Sequence, residues 1–338
     1  MRAWQLHDTN GPDSYRLEAV ETPEPGPDEV RVQLRASALN HLDLWVSHGM
    51  PAPHRFPHTS GGDGAGVVSA LGSNVDSVAV GAEVVLNPSI SCGYCSACLA
   101  GESPFCRSYG ILGEHFPGTL AEEVVLPARN VVPKPASLTW EQAAAYPLAT
   151  GTAYRMLRRA RLSAGDVLLI VGIGGGVASM GLQLGLAMGA TVYVTSRDQS
   201  KIDQAVAWGA AGGFDSEGEF SKELKAAAGR SADVVLESVG PATFGQSMRS
   251  MQPGGRIAIC GSTSGPKVEI TVPALFFKQI EIIGSTMFNH AEFHTVTDLV
   301  GSGKVPVIVD SVTPFENLPD ALARLAAGEQ LGKVVIGR

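Results

Sequence analysis

With 338 residues, the chain is long for one domain and sufficient for two, and its 44% hydrophobic and 17% charged residues are typical of a globular protein with a substantial core. The formal charge of −8 at pH 7 and the lack of a basic run exclude a nucleic-acid partner from our expectations. Residues 1–4 do not begin the apolar core of a signal peptide, which predicts a cytoplasmic protein.

The first 130 residues are predicted to be mainly β-structure. Residues 29–34 alternate polar and apolar side chains, as in a half-buried strand. Residues 37–48 mix polar and apolar side chains without such alternation, and we expect a loop and a short helix there. Other short β-rich runs are separated by Gly and Pro, which favours a small irregular barrel. These runs lie at 67–68, 84–86 and 124–126.

Four of the five cysteines lie in one short window, at Cys92, Cys95, Cys98 and Cys106. In a cytoplasmic chain, thiolates this close are more often metal ligands than disulfides, and four cysteines are a ligand set that structural Zn²⁺ prefers. An iron–sulfur cluster is the alternative, although the next ferredoxin spacing is usually three residues followed by proline. We predict one structural zinc ion, which would hold a loop and leave no position for substrate.

The stretch from residue 167 to residue 196 carries no charge and is predicted to fold as a strand, a tight turn, a helix and a second strand. An apolar run at 167–171 indicates a buried strand, residues 179–188 have helical character, and residues 191–194 are β-rich. The turn between the first strand and the helix contains Gly172, Gly174, Gly175, Gly176, Val177 and Ala178.

This strand, turn and helix predict a dinucleotide-binding site. The N-terminus of such a helix offers free N–H groups and a partial positive charge to a pyrophosphate, and glycines let the backbone approach it closely. An αβ turn without a ligand is one alternative. A transmembrane helix is another, but the glycines at 172–176 would break it.

The end of the second strand predicts which dinucleotide is bound. A carboxylate there accepts hydrogen bonds from the ribose of NAD, whereas cations and hydroxyls accommodate the 2′-phosphate of NADP. The strand runs into Ser196 and Arg197, and Lys201 lies one turn further along. We therefore predict NADP(H), with the alternative that Arg197 and Lys201 are solvated surface charges. Asp198 is the nearby acid that would argue for NAD.

Strands and helices continue to alternate after this unit. We predict a strand at 233–236, a helix at 243–251 and strands at 256–260 and 279–283. The strand at 256–260 leads into Gly261 and Ser262, where the carboxyl ends of parallel strands should border the cofactor.

Together, the β-rich N-terminal part, the four-cysteine window, the glycine-rich run at 61–66 and the glycine-rich turn resemble the medium-chain dehydrogenase/reductase superfamily over essentially the whole chain. The resemblance implies an α/β fold with two domains and a homodimer or homotetramer joined at sheet edges. One would be a GroES-like β-barrel catalytic domain formed by both chain ends (1–149 and 287–338, with a zinc lobe at 91–112). The other would be a doubly wound Rossmann domain for NADP at 150–286.

In the zinc-type alcohol dehydrogenase branch of that superfamily, a catalytic zinc is held by a cysteine, a histidine and a second cysteine. Those positions correspond here to Asn40, Gly62 and a residue near Leu148, and the glutamate beside the histidine corresponds to Asp63. The hydroxyl that relays the alcohol's proton corresponds to Leu42. An amide, a glycine and an apolar side chain do not make a Zn²⁺ site, so zinc-assisted alcohol oxidation is not expected.

The quinone and enoyl reductase branch fits better, because its Asn-x-x-Asp step matches Asn40 to Asp43 and its turn matches the glycines here. The resemblance implies an NADPH-dependent reductase that delivers hydride to a conjugated carbonyl acceptor (a quinone, enone or enoyl thioester) without catalytic zinc. The alternatives are an alcohol or aldehyde dehydrogenase with an unconventional metal site and a catalytically silent nucleotide-binding protein.

The resemblance also implies roles for single residues. Asn40 would bind the substrate carbonyl or the nicotinamide ribose, Asp43 would orient the loop, and Asp63 would support Asn40 or a water molecule. An unconventional metal site is the further alternative, formed by Asp63 with His48, His54 and His58. Five other positions match ones that line the cofactor or its cleft: His41, Thr152, Ser262, Phe288 and Lys333.

Overall fold

The computed structural model describes residues 1–50, 53 and 55–338. These residues form two compact units. The first unit comprises residues 1–149, 288–303 and 307–338, and the second comprises residues 150–287 and 304–306. The first unit therefore combines the N-terminal part of the chain with segments that follow residue 287.

Strands predominate in the first part of the chain, and strands and helices alternate after it. In chain order, the first elements are β1 (Arg2–Leu6), β2 (Tyr15–Ala19), β3 (Glu29–Ala38), α1 (His41–Ser47), β4 (Asp63–Leu71), β5 (Glu83–Leu86), β6 (Ser89–Ile90), α2 (Ser96–Leu99), β7 (Gly110–Ile111), β8 (Glu123–Pro127), β9 (Val131–Pro133), α3 (Trp140–Ala145) and α4 (Pro147–Arg159). They are followed by β10 (Val167–Ile170), α5 (Gly176–Ala187), β11 (Thr191–Ser196), α6 (Gln199–Ala207), β12 (Gly212–Asp215), α7 (Phe220–Ala228), β13 (Ala232–Glu237), α8 (Pro241–Ser250), β14 (Met251–Ile259), α9 (Val272–Lys278), β15 (Glu281–Gly284), α10 (His290–Gly301), β16 (Val309–Pro314), α11 (Leu318–Ala327) and β17 (Lys333–Gly337).

The first unit is organised around a largely antiparallel sheet in which the described strands follow the order β16-β17-β3-β4-β5-β9, with β8 also paired to β3. Val32, Leu34 and Val68 are buried on one side of the central β3–β4 pair. Gly66 lies opposite Leu34, and a Cβ at this glycine would meet the carbonyl oxygen of Gln33 at 2.1 Å. The close pairing of β3 and β4 therefore requires glycine there.

Three strand ends of the first unit meet where the candidate site lies. β4 begins at Asp63, which is paired with Ala38 at the end of β3, and β17 begins at Lys333 and pairs with the same end of β3. α1 follows directly, with Asn40 as its N-terminal cap. The loop predicted from residue 37 is wrong at its start, because residues 37 and 38 are buried and continue β3. The predicted short helix is present as α1.

The second unit is built on a parallel sheet with the strand order β12-β11-β10-β13-β14-β15. All four residues of β10 are buried, as expected for a strand covered on both faces. The order reverses between β10 and β13, and ligands of such sheets bind outside the carboxyl ends of the strands at the reversal. The predicted doubly wound domain is confirmed, and the reversal places its binding crevice between the turn after β10 and the loop after β13.

Element boundaries in this unit differ from the sequence prediction by one to five residues, and the starts of α5 and β14 differ most. α5 begins at Gly176 rather than at residue 179, because the packing of its buried face outweighs the poor helix propensity of glycine. β14 begins at Met251 rather than at residue 256, and its register with β13 shifts between Ala232 and Val234. This irregularity accommodates the Pro-Gly-Gly step that predicted a turn.

A transmembrane helix was the alternative for the uncharged stretch that contains α5. α5 is a 12-residue helix with glycines along its buried face. None of the helices in the described part of the chain is long and apolar enough to cross a bilayer.

Candidate active site and zinc lobe

The four predicted zinc ligands come together between β6 and β7. The sulfur atoms of Cys92, Cys95, Cys98 and Cys106 all lie within 4.8 Å of one another. The Cys92 sulfur is 3.5 Å from that of Cys106 and 3.9 Å from that of Cys98, and the Cys95–Cys98 distance is 3.6 Å. Zn–S bonds of about 2.3 Å in a tetrahedron place sulfurs about 3.8 Å apart, so these side chains fit one structural zinc ion.

The positions that would hold a catalytic zinc are filled differently. A Cβ at Gly62 would lie 3.2 Å from a methyl group of Leu148 and 3.3 Å from the carbonyl oxygen of Leu112. Gly62 therefore brings no ligand, and an apolar side chain packs over the space that a ligand would use. The neighbouring Asp63 is fully buried.

A lysine ammonium lies beside Asp63 instead. The Nζ atom of Lys333 donates to the Asp63 carboxylate at 2.8 Å and to the side-chain oxygen of Asn40 at 2.6 Å. The Asn40 amide nitrogen donates to the same carboxylate oxygen at 3.0 Å. The Lys333 and Asp63 side chains are 2% and 0% exposed, so their charges are compensated inside the protein. We refer to Asn40, Asp63 and Lys333 as the Lys333 cluster.

Two further hydrogen bonds hold Asp63 in the Lys333 cluster. The N–H of Leu148 donates to the second carboxylate oxygen of Asp63 at 2.7 Å, and the hydroxyl of Thr119 donates to the Asp63 carbonyl at 2.7 Å. Leu148, near which the resemblance predicts the second thiolate of the zinc-type branch, thus contributes an N–H to the cluster. The support of Asn40 by Asp63 was predicted, whereas the contact of Asp63 with Lys333 was not.

Asp43 connects the cluster to α1. Its fully buried carboxylate accepts hydrogen bonds from the backbone N–H groups of Asn40 at 2.8 Å and Gly61 at 3.0 Å. Burial raises the pKa of Asp43 to about 6, although these N–H groups and the Lys333 ammonium act in the opposite direction. Asp43 thereby joins the start of α1 to the loop before β4.

The other predicted residues of the first unit lie in different surroundings. His41 is half-buried on α1, and burial together with the Lys333 ammonium lowers its pKa. Phe288 is fully buried, with its ring 5.4 Å from that of Phe293. The structure does not bring the proposed histidine and aspartate metal ligands together. His48 is exposed, His58 contacts the Gly113 carbonyl at 2.9 Å, Asp63 pairs with Lys333, and His54 lies outside the described residues.

In the second unit, the glycine-rich turn has the shape expected for a pyrophosphate site. Gly172 has a φ of +78°, which favours glycine, and its N–H donates to the hydroxyl of Thr195 at 3.1 Å. A Cβ at Gly175 would meet no atom within 4 Å, so this side of the turn is open. Gly174 lies in the turn, and Gly176, Val177 and Ala178 form the first turn of α5. These backbone groups could hold the phosphates of a dinucleotide.

The end of β11 carries the residues that predict NADP(H). Arg197 is exposed and Lys201 is partly exposed on α6. The Asp198 carboxylate accepts hydrogen bonds from the N–H and hydroxyl of Ser200 at 2.9 and 2.7 Å, which lowers its pKa. Ser196 in turn accepts a hydrogen bond from the N–H of Asp198 at 3.0 Å. Asp198 therefore serves as the cap of α6, and its carboxylate is already engaged there.

A buried carboxylate that the sequence analysis missed lies on the other side of this crevice. Glu237, at the end of β13, is fully buried and accepts hydrogen bonds from the N–H groups of Val239 at 2.7 Å and Gly240 at 3.1 Å. The hydroxyls of Thr243 and Ser247 donate to it as well, at 3.1 and 2.5 Å. Glu237 thus fixes the loop between β13 and α8 without a cation.

This loop borders the glycine-rich turn at Gly172 and the predicted cofactor residue Ser262. A Cβ at Gly172 would meet the Val239 side chain at 3.0 Å, and a Cβ at Gly240 would meet that of Ser262 at 3.3 Å. Ser262 is exposed and follows Gly261 after β14. Thr152, also predicted to contact the cofactor, is buried on α4, where its hydroxyl lies 3.9 Å from the sulfur of Met287.

Comparison with known proteins defines the class to which these two units belong. Residues 26–136 match the alcohol dehydrogenase GroES-like domain, and residues 176–302 match the zinc-binding dehydrogenase domain. The acryloyl-coenzyme A reductase of Sulfurisphaera tokodaii is 28% identical over 328 residues, which cover 95% of this chain and 96% of that protein.

Solved structures agree with this class. A structure described as an NAD-dependent alcohol dehydrogenase is 39% identical, with a TM-score of 0.96 and full coverage of both chains. The 2-octenoyl-CoA carboxylase reductase CinF, in complex with NADP and 2-octenoyl-CoA, is 29% identical with a TM-score of 0.93, covering 99% of this chain and 87% of that one. The chain belongs to the zinc-type alcohol dehydrogenase-like group of the medium-chain dehydrogenase/reductase superfamily, whose members are nicotinamide-dependent oxidoreductases.

Proposed function

We propose that this protein is an NADPH-dependent reductase that delivers hydride to a conjugated carbonyl acceptor without a catalytic zinc ion. The observation that carries the proposal is the Lys333 cluster, in which an internal ammonium accompanies Asp63 while Gly62 and Leu148 stand where metal ligands would be needed. These residues provide no site for a Lewis acid that would polarise a simple ketone or lower the pKa of an alcohol, whereas a conjugated carbonyl is already electrophilic at its β-carbon.

The chain's own residues would bind and orient the acceptor. One amide N–H of Asn40 donates to Asp63, and the other can donate to the acceptor's carbonyl oxygen. A bound nicotinamide would supply the hydride to the β-carbon, and the negative charge would develop on that oxygen. A donor already held in place at the oxygen stabilises this charge without reorganisation. The enolate would then take up a proton from water at the α-carbon, which completes the addition of hydride and proton across the double bond.

Among conjugated acceptors, enoyl thioesters are supported by the relatives. The similar protein from Sulfurisphaera tokodaii is an acryloyl-coenzyme A reductase, and the similar CinF structure contains 2-octenoyl-CoA. An alcohol dehydrogenase is the second candidate, because the 39% identical structure is described as one.

Turnover and metal content test the two candidates together. We expect NADPH oxidation with at least one of a quinone, an enone and an enoyl thioester, and one zinc ion per chain by metal analysis. Two zinc ions per chain together with alcohol oxidation would favour the second candidate. Tight NADPH binding with no turnover of any acceptor would instead indicate a nucleotide-binding protein without this activity.

The preference for NADPH over NADH rests on Arg197 and Lys201 at the end of β11. Asp198, the nearby acid, uses one oxygen of its carboxylate to cap α6. Arg197→Ala should weaken NADPH binding by about tenfold to a hundredfold and leave NADH binding nearly unchanged, because it removes a partner of the 2′-phosphate. Titration of both cofactors into wild type and variant measures this, and equal losses for both would contradict the preference.

A second copy of this chain is the partner that we propose for the edge of the second unit. Among the described strands, β15 pairs with β14 and has no partner at its other edge. α9, just before β15, exposes Phe276 and Phe277 at 56% and 78%. Sedimentation should show a dimer or tetramer that Ile282→Lys, on β15, dissociates, and a monomeric wild type would refute this assembly.

A further inference from the structure

We infer that Arg129, which lies outside the four-cysteine window, is a positioning residue for the structural zinc ion. Its guanidinium holds residues 91–93, whose donor groups contact the ligand sulfurs, and thereby slows the loss of the ion. This inference concerns the zinc lobe and goes beyond the proposed reductase activity, so it does not depend on which acceptor is reduced.

The first observation is that a short segment of the lobe supplies hydrogen bonds to the sulfur atoms. The Cys98 sulfur accepts hydrogen bonds from the Ser91 hydroxyl and the Gly93 N–H. The N–H of Cys92, which lies between these two residues, donates to the Cys106 sulfur at 3.4 Å. Hydrogen bonds of this kind orient the ligands of a metal and tune its affinity. Two of the four sulfurs therefore depend on donors from three consecutive residues.

The second observation is that the Arg129 side chain holds the same three residues. One of its terminal nitrogens donates to the carbonyl oxygen of Ser91. The guanidinium also lies over Gly93, where a Cβ would meet its Nη1 atom at 3.2 Å and its Cζ atom at 3.3 Å. The two terminal nitrogens thus contact the residues on either side of Cys92, which restricts the direction of the donors between them.

The third observation is that the residue after Arg129 extends this contact toward the sheet. Arg129 and Asn130 belong to a 3-10 turn between β8 and β9. The Asn130 amide nitrogen donates to the carbonyl oxygens of Asn87 at 2.9 Å and Ser89 at 2.8 Å. Together with Ser91, the turn therefore holds every second carbonyl of the segment that leads into the zinc lobe. Both strands that flank the turn belong to the large sheet of the first unit, so the turn anchors the lobe to that sheet.

Charge alone is the alternative explanation, and the chain offers a control for it. Four thiolates around Zn²⁺ leave a net negative charge that any nearby cation would stabilise. Arg107 directly follows the ligand Cys106 and is exposed, and its side chain has no hydrogen-bond or ion-pair partner among the described residues. Arg107→Gln therefore removes a positive charge beside a ligand without removing a contact to residues 91–93.

The rate of zinc release from the full-length protein tests the inference. With the chelator 4-(2-pyridylazo)resorcinol in excess, we expect Arg129→Gln to release zinc about tenfold faster than the wild type, and Arg107→Gln to stay within about twofold of it. Arg129→Lys keeps the charge, but one ammonium cannot make both contacts of the planar guanidinium. It should therefore release zinc faster than the wild type by about threefold or more.

Ser91→Ala shows whether Arg129 acts through the segment that it holds. This variant removes one donor to the Cys98 sulfur and keeps the carbonyl that Arg129 contacts. Because both changes loosen the same segment, the double variant with Arg129→Gln should release zinc more slowly than the product of the two single effects predicts. A rate equal to that product would mean that the two residues act independently, which contradicts a positioning role.

Three further outcomes would overturn the inference. They are unchanged zinc release in Arg129→Gln, equal acceleration in Arg107→Gln, and a wild type that is purified without zinc. If Arg129→Gln does not fold, Arg129→Lys supplies the comparison with Arg107→Gln. The chelator assay needs no acceptor, so a wild type that holds zinc but reduces no acceptor would refute the proposed function and leave the role of Arg129 measurable.

Discussion

The zinc lobe and the Lys333 cluster lie in the same unit and compensate buried negative charge in opposite ways. In the lobe, four thiol side chains lie within 4.8 Å of one another and fit an ion taken from solution. In the Lys333 cluster, the cation is a side chain of the chain itself. One unit thus combines four thiols that fit a metal ion with a buried acid whose charge an internal ammonium compensates.

The largest expected effect comes from removing one of the four cysteines of the zinc lobe. Cys95→Ser removes one of four ligands, and because the metal's binding energy contributes to folding, the variant should lose its zinc. We expect a fall in melting temperature on the order of 10 °C, measured by calorimetry beside zinc analysis. Cys260→Ala, in the second unit, is the control and should leave the zinc content unchanged. A variant with full zinc content would refute the four-cysteine site.

The next largest effect comes from removing one charge of the Asp63–Lys333 ion pair. Asp63→Asn leaves the Lys333 ammonium buried without its carboxylate, and removal of one partner of a buried ion pair costs about 3–5 kcal/mol. Denaturant unfolding of the wild type, Asp63→Asn and the double variant with Lys333→Met measures this. The double variant should recover most of the loss, because it removes both charges. Equal destabilisation of the single and double variants would show that packing, not charge, governs the cluster.

The sequence could predict the lobe but only half of the Lys333 cluster, and the reason is distance along the chain. Cysteines separated by two and seven residues must lie close together in any compact loop, so their spacing carries the prediction. Lys333 and Asp63 are 270 positions apart, and only the pairing of β17 and β4 with the end of β3 brings them together. No local pattern signals such a contact.

The same reasoning explains what was found and missed in the second unit. The glycine-rich turn was recognisable because glycine is required locally, at Gly172 by its positive φ. No local pattern singles out Glu237, since its partners are backbone N–H groups and hydroxyls that reach it only when α8 folds back. The start of β14 was missed because a Pro-Gly-Gly step predicts a turn unless a neighbouring strand accommodates it.

Glu237 extends the comparison, because among the described residues this buried carboxylate is held by N–H groups and hydroxyls rather than by a charged side chain. Glu237→Gln removes the charge and turns one acceptor into a donor: if the amide oxygen keeps the N–H groups of Val239 and Gly240, the new NH2 group faces the hydroxyls of Thr243 and Ser247. We expect a loss of about 1.5–3 kcal/mol in unfolding free energy and weaker cofactor binding, because the loop beside the glycine-rich turn loosens. Glu223→Gln, on the exposed surface of α7, should change neither quantity. Unchanged cofactor affinity in Glu237→Gln would separate this loop from the cofactor site.

A pH dependence is the last test of the surroundings of the Lys333 cluster. Burial raises the pKa of Asp43 from 3.8 to about 6, so between these values the folded protein binds more protons at this group than the unfolded chain does. The contribution of Asp43 to stability therefore falls as the pH rises through this window. The stability difference between wild type and Asp43→Asn should change by up to about 3 kcal/mol between pH 4 and pH 8.

Asp198 provides the opposite sign for comparison with Asp43. Hydrogen bonds from Ser200 lower the pKa of Asp198, so its contribution is present at neutral pH and is lost as the pH falls. Measured against wild type, the unfolding free energies of the two variants should therefore change with pH in opposite directions and in different windows, between pH 4 and pH 8 for Asp43→Asn and below about pH 4 for Asp198→Asn. A difference between wild type and Asp43→Asn that does not change from pH 4 to pH 8 would mean that Asp43 ionises as it would in water, and that the Lys333 ammonium fully offsets the effect of its burial.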